Sequence, residues 1–378
     1  MLVDLHAHYP MHVVPGGDTH ELLTSWPAQQ VRAKIVDLVS RLANYEGPGG
    51  EPGVTVPLLR EGDVGVALSV AFNPWTELDP SRHYDDPPKD DYFDLLLEVL
   101  DAVDAEVGAR DDAEIVRTAE ALDRCLAEDR VALIHAVEGA VQLGSAAAVP
   151  ANVEELARRG VAYVTVAHLF WRQVATVVPA LPFLPDRVYR LLFRQPRDMG
   201  LGPSGRAAVQ AMARHGVLVD VTHMSDASVR ETLALLDEAN PARRLPVIAS
   251  HMACRFGSLA YNMTDDAIRQ VADRGGVLGV IACRHYMADG LQQAETWEDT
   301  VDITCAHAER IAAVTGSWDH AAIGSDLDGY IKPALPGLEH EGRMRELQVA
   351  LRARLGAERA EKVISANALR VLRARFAA

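Results

Sequence analysis

Six residues able to hold a metal ion close short apolar runs of this chain: His6 and His8 in LVDLHAH, Glu138 in ALIHAVE, His223 in LVDVTH, His251 in VIASH and Asp326 in AIGSD. Neutral imidazoles and carboxylates are the donors that zinc takes, with manganese or iron as alternatives. Residues two apart on a strand face the same way. His6 and His8 therefore read as a pair aimed at one cation, with Leu5 and Ala7 packed outward. The same parity in IHAVEG puts Ile134, Ala136 and Glu138 on one side and His135 with Val137 on the other. Glu138 is then the ligand candidate and His135 is not. A carboxylate set between two cations can bridge them, which suits Glu138 and leads to an expectation of two Zn(2+) ions per chain. Asp326 is placed to complete one metal shell, to take a proton from a metal-activated water and to pass it to a leaving amine. Asp328 has the same strand parity, but its pairing with Gly329 reads equally well as a turn. His168, ending VTVAH, sits at the same depth without being needed as a ligand and is assigned to the substrate oxyanion.

Groups like these converge when they end parallel strands of a (β/α)8 barrel, whose strand C-termini open on one face. Eight runs rich in Val, Ile, Leu and Ala fit that pattern, near residues 2–6, 64–72, 131–137, 161–167, 217–222, 246–250, 277–282 and 321–325. Helical periodicity fills the gaps, as in ANVEELARRG and SGRAAVQAMARHG, where Gly160 and Gly216 read as C-caps. Residues 9–62 and 73–115 exceed a minimal barrel. Both follow strand C-termini and should cover the active face. Residues 171–202, with Arg172, Arg187, Arg190, Arg194 and Arg197, form the candidate lid. No internal repeat or low-complexity tract interrupts the pattern, and residues 1–378 read as one hydrolase domain.

The chain has 378 residues, 49% of them hydrophobic, and a formal charge of -16. That composition describes a globular protein with a large core, and the acidity argues against nucleic acid or an anionic membrane as partner. Cys125, Cys254, Cys283 and Cys305 lack CxxC spacing, so neither a disulfide framework nor a zinc knuckle is expected. The first strand begins within the first eight residues and no run approaches a membrane span. A cytoplasmic, intracellular location is the expectation.

The chain resembles the membrane (renal) dipeptidase family, peptidase family M19 of the amidohydrolase superfamily. The resemblance rests on VEGA at Glu138, VTVAHL at His168, GLGPSGRAAVQAMARHGVLVDVTHMSD leading into His223, PVIASHMACR at His251, YNMTDD at 261–266, GSDLDG at Asp326 and SANALRVL near the C-terminus. It implies that His6, His8, Glu138 and Asp326 hold one zinc while Glu138, His223 and His251 hold the other, and that His168 contacts the scissile carbonyl oxygen. A homodimer is also compatible with it. Two departures stand out. The family usually has HxD in the first strand, whereas His6-Ala7-His8 replaces a carboxylate by a neutral imidazole, which alters charge compensation and metal preference. The family also usually has an Arg-Asn pair that grips the dipeptide carboxylate, where this chain has Tyr261-Asn262. A guanidinium to carboxylate contact is worth about 1.5–3 kcal/mol, so its loss without replacement would weaken free dipeptides; Arg255, beside Tyr261, or one arginine of residues 171–202 is the candidate to supply the charge.

The expected activity is zinc-dependent hydrolysis of a dipeptide or dipeptide-like amide through hydroxide attack on a metal-polarised carbonyl. The runner-up is another hydrolase of the superfamily acting on a lactone, a modified amide or a phosphoester. A metal-retaining scaffold without chemistry ranks last, because every ligand and Asp326 are present.

Overall fold

A computed structural model describes residues 1–13, 51–77, 79, 82–181, 184–239, 245–329 and 333–377. The expected excursion over residues 9–62 thus lies, from 14 to 50, outside the described residues. Eight parallel strands close a barrel in chain order: β1 (Leu2–Ala7), β2 (Val64–Ala71), β4 (Val131–Glu138), β5 (Tyr163–Thr165), β6 (Leu218–Asp220), β7 (Val247–Met252), β8 (Val277–Val280) and β9 (Ala321–Ile323). Parallel pairing of Val66 through Ala71 with Ala132 through Val137 joins β2 to β4, and Asp4 pairs with Ile323 to join β1 to β9. The expected (β/α)8 barrel is therefore present.

A further short strand, β3 (Ala113–Ile115), was not expected, since residues 73–115 read as a strandless excursion. It pairs with the first residues of β4, Val131 to Leu133, whose last residues, Val137 and Glu138, pair instead with β5. Three residues are too few to show a period, so nothing local announces β3. β5, β6 and β9 are shorter than the apolar runs that mark them. Beyond β6 and β9 the backbone turns into the left-handed region at His223 (φ 65°) and Asp326 (φ 59°), which ends the ladder before those side chains are reached.

Val3 and Leu5 of β1, Val66, Leu68 and Val70 of β2, Ile134 and Ala136 of β4, Tyr163, Leu218, Ile248, Val277 and Ala322 form one apolar cluster. Because it draws on all eight barrel strands, it is the barrel interior. Leu122, Cys125, Val371 and Leu372 from helices Ala119–Ala127 and Asn367–Phe376 join it. Leu5 thus faces inward, against the alternation expected from His6 and His8. The register of β1 against β2 shifts between Asp4 and Ala7, and this irregularity puts Leu5 and His6 on the same inner side. A second, larger cluster lies between the strands and the helical shell. Helix Tyr92–Gly108 shows how the shell is specified: its buried Leu96, Val99, Leu100, Val103 and Val107 recur at three- and four-residue spacing. Gly160 (φ 83°) and Gly216 (φ 70°) end the helices before β5 and β6, as read from the sequence. All four cysteines are free and buried. No helix among the described residues is long and apolar enough to cross a membrane.

Candidate active site

At the C-terminal end of the barrel the six proposed ligands meet around one carboxylate. Glu138 Oε1 lies 3.5 Å from Nε2 of His6, 3.6 Å from Nε2 of His223 and 3.5 Å from Nε2 of His251. Its Oε2 lies 3.4 Å from His8 Nε2, which is also 3.2 Å from Asp326 Oδ1. His6 and His8 bring their Nε2 atoms to 3.3 Å, His223 and His251 theirs to 3.0 Å. Ligands at metal–ligand bonds of about 2.1 Å in a tetrahedral shell stand roughly 3.4 Å from one another. The donor spacing therefore fits first-row divalent cations. Two overlapping donor triads, His6–His8–Glu138 and Glu138–His223–His251, share Glu138, while His6, His251 and Asp326 also converge. All six residues are buried, and the left-handed backbone at His223 and Asp326 stores strain of about 1–3 kcal/mol per residue that the surroundings must hold.

Without metal the cluster is electrostatically tense. Burial would raise the Glu138 pKa, but the imidazoles of His168, His6, His223 and His8 outweigh it and hold the carboxyl well below its ordinary range. Burial drives His6 and His251 well below the usual histidine value, leaving them neutral donors. Asp326 is pushed up to about 7 by burial, opposed by its contact with His8. Burial alone would lower His168, yet the charges of Glu138 and Glu77 raise it to about 9.

His168 stands three residues past β5, with Nε2 3.6 Å from Glu138 Oε1. Its other nitrogen, Nδ1, bonds Glu77 Oε2 at 2.6 Å, while Glu77 Oε1 accepts from the backbone N–H groups of Leu169 (2.7 Å) and Phe170 (3.0 Å). Glu77 ends the four-residue helix Pro74–Glu77. Sequence reading missed it because it lies among prolines and acids with no period. His135 points away from the six proposed ligands, toward Asp104 on helix Tyr92–Gly108 at 3.0 Å, as its parity requires. Asp328, the weaker alternative to Asp326, accepts from the backbone N–H groups of Gly53 and Val54 at 2.9–3.0 Å. It is a tie between loops.

Arg255 and Tyr261 border a cavity of about 20 Å³ that also touches His223. The Arg255 guanidinium donates to the carbonyls of Asn262 and Ala260, both at 2.8 Å, so two of its N–H groups are directed to its own loop. Tyr261 is buried, stacks on Tyr286 at 3.8 Å, meets the His223 ring edge-on and donates to the His251 carbonyl at 3.3 Å. In the candidate lid, Arg172 is buried and donates to the carbonyls of His83 and Thr76 and to the Tyr92 hydroxyl. Arg187, Arg190, Arg194 and Arg197 are exposed.

A family model for membrane dipeptidases, peptidase family M19, matches residues 30–377. The dipeptidase ataJ of Aspergillus terreus is 27% identical over 356 residues, which cover 91% of this chain and 81% of that protein. The dipeptidase tcpJ of Claviceps purpurea is 27% identical over 285 residues, 74% of this chain but only 58% of its own length. Among solved structures, a dipeptidase AC assigned to family M19 superposes with a TM-score of 0.71 at 19% identity, with 100% of both chains covered. A metallopeptidase of Rhodobacter sphaeroides, liganded with a phosphinate mimic of L-Ala-D-Ala, gives 0.68 at 19% identity over 98% of each chain. At those identities the two structures speak for the fold.

Proposed function

The chain belongs to the membrane dipeptidase family, peptidase family M19, and is a dipeptidase-like, metal-dependent hydrolase; from that premise we propose that it cleaves a dipeptide or dipeptide-like amide with two zinc ions held by His6, His8, Glu138, His223, His251 and Asp326. The observation that carries this reading is the convergence of four imidazole Nε2 atoms on the two oxygens of Glu138. Zinc in such a donor set acidifies water toward neutrality and polarises an amide carbonyl. Asp326 accepts the proton that the attacking water loses and returns it to the leaving amine. His168, its Nδ1 held by Glu77, presents Nε2 to the developing negative charge on the carbonyl oxygen.

The test is hydrolysis of a panel of L,L and L,D dipeptides by the zinc-loaded protein, with Asp326→Ala as the blank. Loss of a general acid–base group lowers turnover by about 100-fold or more, and that is the result expected for the variant. Two bound metals without turnover of any dipeptide would sink the proposal and point to a capped amide or an ester.

A further inference from the structure

Behind the ligands lies a group of buried polar side chains that the reaction itself does not use. Asp220, at the end of β6, accepts five hydrogen bonds. Its Oδ1 takes the N–H and hydroxyl of Thr222 (3.0 and 2.7 Å) and the N–H of Ser250 (3.0 Å), and its Oδ2 takes the hydroxyls of Thr165 (2.5 Å) and Ser250 (2.6 Å). The Ser250 oxygen also lies 2.8 Å from His6 Nδ1 and 2.9 Å from His251 Nδ1. Asp220 and Ser250 are fully buried.

Counting hydrogens leaves one arrangement. A serine hydroxyl has one hydrogen and two lone pairs. The hydrogen goes to the Asp220 carboxylate, so both lone pairs must accept. The donors are then Nδ1–H of His6 and Nδ1–H of His251. Tyr163 is compatible with this: its hydroxyl donates to the Leu5 carbonyl at 2.9 Å and accepts at 2.8 Å from His6 Nδ1, whose one N–H is then shared between Ser250 and Tyr163. A neutral imidazole protonated on Nδ1 carries its free lone pair on Nε2, the atom that faces Glu138 in both residues. The backbone is packed closely around this serine. A Cβ on Gly279 would come within 2.0 Å of the Ser250 carbonyl oxygen, and one on Gly324 within 1.8 Å, so β7 is clasped by its neighbours at this residue.

We propose that Asp220 and Ser250 are positioning residues that fix the tautomer of one histidine in each of the two metal subsites, with the Tyr163 hydroxyl as a second acceptor at His6. The inference rests on the assignment of His6 and His251 to different metals. His8 and His223 stand apart from this arrangement: neither Nδ1 has a hydrogen-bond partner among the described residues. Each subsite thus pairs one braced histidine with one unbraced histidine.

Two variants and one spectrum test the proposal. Ser250→Ala removes the shared acceptor. Asp220→Asn keeps the shape, but an amide N–H turned toward Ser250 takes one of its lone pairs and forces one imidazole out of register. Loss of an outer-shell partner typically costs about 10- to 100-fold in metal affinity. Competition with a chromophoric zinc chelator is expected to show the dissociation constant of the His251 subsite rising by that factor in Ser250→Ala, and that of the His6 subsite rising less, because the Tyr163 hydroxyl still accepts from His6 Nδ1. Zinc affinity unchanged at the His251 subsite, or a rise confined to the His6 subsite, would overturn the proposal. Should neither variant fold, nitrogen-15 spectra of the ring nitrogens in the wild-type metal-free protein decide directly. His6 and His251 must both carry hydrogen on Nδ1, and hydrogen on Nε2 of either refutes the relay. That spectrum needs no metal, so a protein that binds one zinc or none defeats the two-metal reading while the tautomers still judge Asp220 and Ser250.

Discussion

The convergence of the six proposed ligands was legible from residue type, because each imidazole or carboxylate stands at the end of an apolar run. The same logic could have found Asp4 in LVDLH and Asp220 in LVDVTH, acids inside apolar strands that need buried partners. Glu77 offered no such signal, since its neighbours PWTELDP read as a loop and its role depends on a contact 91 residues away. That contact makes a prediction. In Glu77→Gln a single amide oxygen cannot serve both the His168 ring and the two backbone N–H groups that Glu77 now accepts. Loss of one charge-assisted hydrogen bond, about 1.5–3 kcal/mol, should lower kcat some 10- to 100-fold with little change in KM, because in the role proposed for it His168 acts on charge that appears only in the transition state. Steady-state kinetics on the dipeptide found active in the panel reads this. A changed KM with kcat preserved would mean that Glu77 shapes the binding pocket instead.

Strands were easier to read than their lengths. Hydrophobic runs mark where a parallel strand is covered on both faces, but the hydrogen-bonded ladder is set by backbone geometry, and at β6 and β9 it stops short of the left-handed turns that aim His223 and Asp326. β3 and the inward turn of Leu5 depend on register between strands distant in sequence, which no local pattern records. Close approach between strands has a measurable consequence. Gly324→Ala would drive a methyl group into the Ser250 carbonyl of β7, and overpacking of this kind costs about 1–3 kcal/mol. Gly108→Ala, at the end of helix Tyr92–Gly108, meets nothing within 4 Å and should be neutral or stabilising by up to about 1 kcal/mol. Urea midpoints of the two variants, compared in chelator-treated protein, should move in opposite directions from wild type or leave Gly108→Ala unmoved. Equal stability of Gly324→Ala and wild type would show that the backbone at Gly324, just past β9, does not crowd Ser250 of β7.

Across the whole molecule, a barrel that gathers three acids, Glu77, Glu138 and Asp326, and five histidines at one end is built around charge that divalent cations are suited to balance, and chelation should reveal it. His168 has a folded pKa of about 9, above roughly 6.5 for an unfolded histidine. The folded state holds that proton more tightly, so the contribution to stability is full below about pH 6.5 and is lost as pH climbs through about 9. His8, also raised, acts with the same sign. Asp326, raised to about 7, ionises first in the unfolded chain, so its effect is a loss of stability from about pH 4 upward that is complete near pH 7. His6 and His251, held well below their ordinary value, oppose this in acid, where the unfolded chain gains protons that they refuse, and stop contributing change above about pH 6.5. From pH 7 to 9 the losses are therefore unopposed by those two, and metal-free stability should fall by about 2 kcal/mol from His168 alone. With zinc in excess the same interval should be flat or rising, since metal binding displaces the protons that the empty cluster needs. Denaturation midpoints at pH 7, 8 and 9, with chelator and with zinc, check both halves, and a metal-free midpoint that holds steady or rises across the interval would mean that the protons on His168 and His8 do not hold this end of the barrel together.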